Sequence, residues 1–128
     1  MARSRKSRAR RTNNFIPLTP DLVRAAYDYL CETPPFTTWN MPDSADIAFR
    51  IIKTRKHEAH FLAGKRPIIA VSEGLIGHTL RIMEATAHEM LHLHLWRTGQ
   101  HRGGEHNAAF KIDAQRICVI HGFDPKAF

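Results

Sequence analysis

Cysteine is scarce in this chain. There are two among 128 residues, Cys31 and Cys118, isolated and without C-x-x-C spacing. Their scarcity excludes a disulfide scaffold and a cysteine zinc ribbon, and it predicts reduced thiols in a cytoplasmic protein. No apolar run approaches the length of a membrane span, so no membrane is expected as a partner. The charged N-terminus is not followed by an apolar segment, which argues against a secretory signal. No internal repeat or heptad array is visible. Aromatic residues are missing from the first fourteen positions, which leaves base stacking no platform there.

Charge of one sign is abundant but local. The net charge is +7, from nineteen basic and twelve acidic residues. Arg3, Arg5, Lys6, Arg8, Arg10 and Arg11 supply six of the nineteen, so the remaining thirteen nearly balance the twelve acids. Residues 1–14 are rich in Arg, Ser and Ala with no apolar period, and a disordered basic arm is expected. Those six residues are the candidate nucleic-acid contacts, and DNA is the candidate partner, because each neutralised phosphate adds salt-dependent affinity. Residues 15–128 are enough for one domain with a modest core.

Histidine is plentiful, with nine in the chain, and two of them sit in His88-Glu89-Met90-Leu91-His92, an H-E-x-x-H motif. On a helix, positions i and i+4 lie about 40° apart around the axis and about 6 Å apart along it. His88 and His92 would project side by side and could hold one zinc ion through neutral ring nitrogens. Glu89 would sit about 60° around from His92, where a carboxylate reaches a metal-activated water without ligating the metal. Shuffling this composition yields the motif in roughly 3% of sequences, so it needs a helix and a third ligand to carry weight.

The helix is supported by Leu80, Met83, Ala87, Met90, Leu91 and Leu95, a 3.6-period apolar stripe between Thr79, a candidate cap, and Gly99, a terminator. His94 falls inside the stripe and reads as a core residue. Upstream, Thr19-Pro20-Asp21 opens a helix with apolar Leu22, Ala25, Ala26, Tyr29 and Leu30, ended by Pro34-Pro35. A loop over 33–45 carries Phe36 and Trp39 as packing residues. Strand signals follow at Ile47–Ile52, His57–Ala63 and Pro67–Ser72, with Gly64-Lys65-Arg66-Pro67 as a turn. Strands this close predict an antiparallel meander. His57 and His60 read as exposed strand residues. A last helix is expected over Glu105–His121, stopped by Gly122, with Phe110, Ala114, Ile117 and Cys118 buried. His106 would extend that face one turn before Phe110 and point inward. The fold class is α+β: an N-terminal helix, a three-stranded antiparallel sheet, the H-E-x-x-H helix and a second ligand-bearing helix, together a minimal zincin-like domain.

Catalytic zinc takes three protein ligands and keeps one position for water. The longer H-E-x-x-H-x-x-G-x-x-H pattern fails, because Leu95 and Thr98 occupy its glycine and last histidine positions. Glu105 could serve as a glutamate ligand from a later helix, but Ala109 stands where such sites carry an acid. His106 remains, fourteen residues past His92.

Ala87-His-Glu-Met-Leu-His92, a Gly-rich loop and Glu105-His-Asn-Ala-Ala-Phe110 resemble the SprT-like (Spartan-type) zinc metallopeptidase family over roughly residues 46–123. That family pairs its H-E-x-x-H with an H-G-x-x-F-like segment whose histidine is the third ligand. Here Asn107 replaces the glycine, and no C-terminal zinc ribbon of the kind many members carry is present. The resemblance implies an SprT-like domain over 15–128, Zn2+ on His88, His92 and His106, and Glu89 as general base. It implies an endopeptidase acting on a protein or peptide substrate. The family's link to proteins crosslinked to DNA carries over only through the basic arm. A substrate strand is expected to add to the sheet edge near Pro67–Ser72. His78 and Arg81 are candidates for stabilising the oxyanion. The alternative is a non-catalytic, zinc-stabilised DNA-associated or adaptor module. A structural site needs no base and is closed by a fourth ligand, for which His101 is the candidate.

Overall fold

A computed structural model describes residues 15–128; the basic arm over 1–14 lies outside them. The elements in order are α1 (Pro20–Cys31), β1 (Ala48–Ile52), β2 (Ala59–Leu62), β3 (Ile68–Ser72), α2 (Thr79–Arg97) and α3 (Ala108–His121), with short 3-10 turns between them. Among the described residues the fold class is α+β: three helices and a three-stranded mixed sheet.

Helix α1 starts where the cap chemistry places it. Thr19 Oγ1 accepts the Leu22 N–H at 3.2 Å, Pro20 occupies the first turn and Asp21 faces the positive end of the dipole. Its buried face is Val23, Ala26, Tyr27 and Leu30, while Tyr29, expected inside, is exposed. Tyr27 turns in because its ring packs edge-on to Phe49, with centroids 5.5 Å apart, and its hydroxyl donates to the Pro42 carbonyl.

The sheet corrects the expected meander. Its order is β1-β3-β2; β2 and β3 pair antiparallel, but β1 and β3 run parallel, Ala48 opposite Ile68 and Ile52 opposite Ser72. The reason lies in what each strand must bury. Ile69, Ala70, Val71 and Ser72 are all at most 2% exposed. A strand with such a continuous run needs cover on both faces and belongs in the middle. Burying side chains such as Ile69 and Val71 contributes roughly 1.5–3 kcal/mol each. β1 and β2 keep exposed positions and take the edges. The Gly64-Lys65-Arg66 turn still closes a β2–β3 hairpin, whereas residues 53–58 between β1 and β2 carry no hairpin turn.

Helix α2 is the centre of the molecule. It packs against α1, α3 and the β2–β3 side of the sheet. It is therefore buried around most of its circumference, from Ile82 through Leu95, rather than along one stripe. Leu80, expected in that stripe, is exposed near the helix start. The residue in the cap position is His78, not Thr79, and it makes no side-chain capping bond. The helix stops as expected: Gly99 takes φ 73°, a left-handed conformation that suits glycine, and the Gln100 N–H returns to the Leu95 carbonyl at 2.7 Å. His94 is in the core, 8% exposed, and stacks on Trp39 with ring centroids 3.9 Å apart. Phe36 is fully buried, as a packing residue should be.

The last helix begins later than expected. Asn107 is its cap: Asn107 Oδ1 accepts the Phe110 N–H at 2.9 Å, so the helix starts at Ala108. His106 therefore lies in the turn before α3, not on it, so the expected second ligand-bearing helix is replaced by a turn that carries the candidate ligand.

Candidate metal centre

His88 and His92 sit one turn apart in the middle of α2, both half-buried. His106 is delivered by the turn. The Asn107 amide donates to the carbonyls of Gln100 at 3.0 Å and Arg102 at 2.7 Å, which folds the Gly-rich loop back onto the cap. One side chain thus starts α3 and ties back the loop that carries its neighbour, His106.

The three rings converge through one kind of atom. His92 Nε2 and His106 Nε2 each lie 3.2 Å from His88 Nε2. One potential ligand atom from each of the three residues falls within 4.8 Å of the others. His88 Nδ1 meets the backbone oxygen of Phe128, which can only accept, so the contact is a hydrogen bond in the tautomer that carries its proton on Nδ1 and leaves Nε2 a lone pair. One lone pair does not satisfy two imidazoles aimed at it; a cation at the convergence point does. Two nitrogens bound at about 2.0–2.1 Å to a tetrahedral metal stand roughly 3.3–3.4 Å apart. The two spacings from His88 Nε2 are within about 0.2 Å of that, and the third pair lies within 4.8 Å, so the residues present fit a metal ion. Three imidazoles suit zinc, copper, iron or nickel.

Electrostatics favour the ligand form. Burial pushes His88 down to about 4 despite the Phe128 hydrogen bond, and burial plus the neighbouring histidines push His92 down to about 4. Both rings are neutral at pH 7. Phe110 forms the floor, its ring centroid 5.0, 4.7 and 4.5 Å from those of His88, His92 and His106. The opposite side opens into a cleft of about 850 Å³ between β2, α2 and the loop 101–106.

Glu89 lines the same cleft but stands outside the three-nitrogen set. It is 5% exposed. Burial first, and the Glu105 charge second, push its carboxyl up to about 8. His57, His60, His101 and Glu105 also line the cleft without joining the cluster. His78 and Arg81 do not line it, and Arg81 is engaged by Glu58 and Glu84. The candidate nucleic-acid residues Arg3, Arg5, Lys6, Arg8, Arg10 and Arg11 lie outside the described residues. Asn107 and Phe128 are parts of the site that sequence reasoning missed. An Asn cap before Ala-Ala-Phe is a readable signal for Asn107; the 40-residue separation of His88 and Phe128 leaves none. Among the described residues, no helix is long and apolar enough to cross a membrane.

No protein-family model matches the chain, and no curated protein matches it.

Proposed function

We propose that this chain is a zinc-dependent endopeptidase of the SprT-like type, hydrolysing peptide bonds with a metal-activated water. The observation that carries the reading is the convergence of three Nε2 atoms in an open cleft that also holds a buried carboxylate, Glu89. Zinc held by His88, His92 and His106 would supply Lewis acidity, acidifying a water and polarising the scissile carbonyl. Glu89 is the general base: it takes the proton of the attacking water and passes it to the leaving amine. Phe110 packs against all three rings, and the cleft runs along the β2 strand.

The expected docking edge is corrected by the topology. β3 is paired on both sides, so Pro67–Ser72 offers no free edge. The edge that borders the cleft is β2, and an extended peptide adds to Ala59–Leu62 in this reading. The basic arm would bring DNA-associated proteins to the cleft by phosphate contacts.

The test is Glu89→Gln, which keeps the shape and removes the base. The zinc-loaded parent should digest an unfolded or DNA-bound protein, and the variant should retain its zinc while losing about 10²–10⁴-fold in rate. Cleavage by the variant at the parent's rate points to another base or a contaminant. A zinc-loaded parent that cleaves neither substrate leaves the non-catalytic, zinc-stabilised DNA-associated or adaptor module as the function.

A further inference from the structure

The segment after α3 does more than end the fold. Gly122 takes φ 74° and turns the chain back toward α2. The Asp124 N–H then donates to Glu84 Oε2 at 3.3 Å. Glu84 is 5% exposed, one turn before His88 on α2, and its other oxygen is held by Arg81 at 3.1 Å. The Lys126 N–H closes on Asp124 Oδ1 at 2.9 Å, and the N–H groups of Ala127 and Phe128 close on the Asp124 carbonyl at 3.0 Å. The segment is thus folded and docked at a buried carboxylate. At its end the Phe128 ring lies 5.3 Å from the His88 ring and 6.2 Å from that of Phe123, between centroids. The Phe128 backbone oxygen meets His88 Nδ1.

Resting on the metal-centre reading above, we infer that residues 123–128 are the positioning element of the metal centre, and that the Phe128 backbone oxygen selects the tautomer of His88 that presents Nε2 to the metal. A histidine that ligates through one nitrogen needs its other N–H held, which fixes ring rotation and raises the basicity of the ligating atom. His88 is the ring on which the other two converge, so its orientation sets the geometry of all three. Glu84 acts at one remove, by docking the turn that carries Phe128.

Three measurements test this. Imidazole 15N spectra of the metal-free parent should show His88 as the Nδ1–H tautomer. Zinc affinity by chelator competition should fall about 10–100-fold in a chain ended after Pro125, the range for losing such a partner. Phe128→Ala keeps the backbone oxygen and should stay within about threefold of the parent, since losing a positioning oxygen, not ring packing, carries the effect. An Nε2–H tautomer at His88 overturns the inference. So does a shortened chain that binds zinc like the parent, or a Phe128→Ala variant as weak as the shortened chain. Should the shortened chain fail to fold, the tautomer and Phe128→Ala decide. A parent that binds no metal overturns the metal centre itself. A metal-binding parent with the wrong tautomer overturns only the role of the tail.

Discussion

A carboxyl buried in the cleft, as Glu89 is, should cost the resting protein stability, and that cost can be measured. Its side chain is 5% exposed, and burial with the Glu105 charge raises it from an ordinary value near 4.5 to about 8. The sign follows from proton binding. A carboxyl with a raised folded value holds its proton more tightly folded than unfolded. Its contribution is therefore fully present below about pH 4.5 and is lost as pH rises toward 8. Each pH unit in that window costs about 1.4 kcal/mol. The metal-free parent should be weakened by about 3 kcal/mol at pH 7 and about 5 kcal/mol above pH 8. Glutamine keeps the size and has no charge to bury, so Glu89→Gln should be the more stable protein by about those amounts. In urea at pH 7 that is a midpoint higher by about 1–3 M. The assay is urea unfolding of both proteins with chelator present, at several values from pH 4.5 to 8.5. Taking the difference between the two removes the histidine titrations, which both share. Equal midpoints at pH 8, or a difference flat from pH 5 to 8, refute the claim that Glu89 is buried at a cost. A rising difference, joined to lost proteolysis, is what a residue retained for function at the expense of stability produces.

His106→Ala should lose most metal affinity by chelator competition, whereas His101→Ala and Glu105→Gln should keep it; equal retention in His106→Ala would remove His106 from the ligand set. In the Glu89→Gln background, metal-free stability should fall as pH drops from 6.5 to about 4, because the unfolded chain then takes protons that buried His88 and His92 refuse. A flat urea midpoint across that window would contradict their burial. Deleting residues 1–14 should weaken DNA binding and flatten its dependence on salt, since fewer phosphates are neutralised. Titrations of the two chains at several salt concentrations that superimpose would leave the arm without a role in binding.

His88, Glu89 and His92 are legible in the sequence because their relation is local. Helical geometry alone puts i and i+4 side by side and i+1 beside them. The same locality makes Thr19, Gly99 and Gly122 readable as the ends of helices, since caps act within a few residues. His94 is readable as a core position for the same reason.

What escapes a local reading is whatever depends on which surfaces must be buried together. Ile68–Ser72 becomes the central strand because its run of buried side chains needs cover on both faces, and this turns an expected antiparallel meander into a mixed sheet. That choice closes the edge at Pro67–Ser72 and leaves β2 along the cleft. His106 joins His88 only because Asn107 prefers to cap α3 and tie back the loop, which periodicity read through as helix. The contact between His88 and Phe128 joins positions 40 residues apart. Spacing within the chain specifies the first two candidate ligands and the proposed base. Closing the site is a matter of packing, because only the folded core brings a turn and a tail to the same helix face.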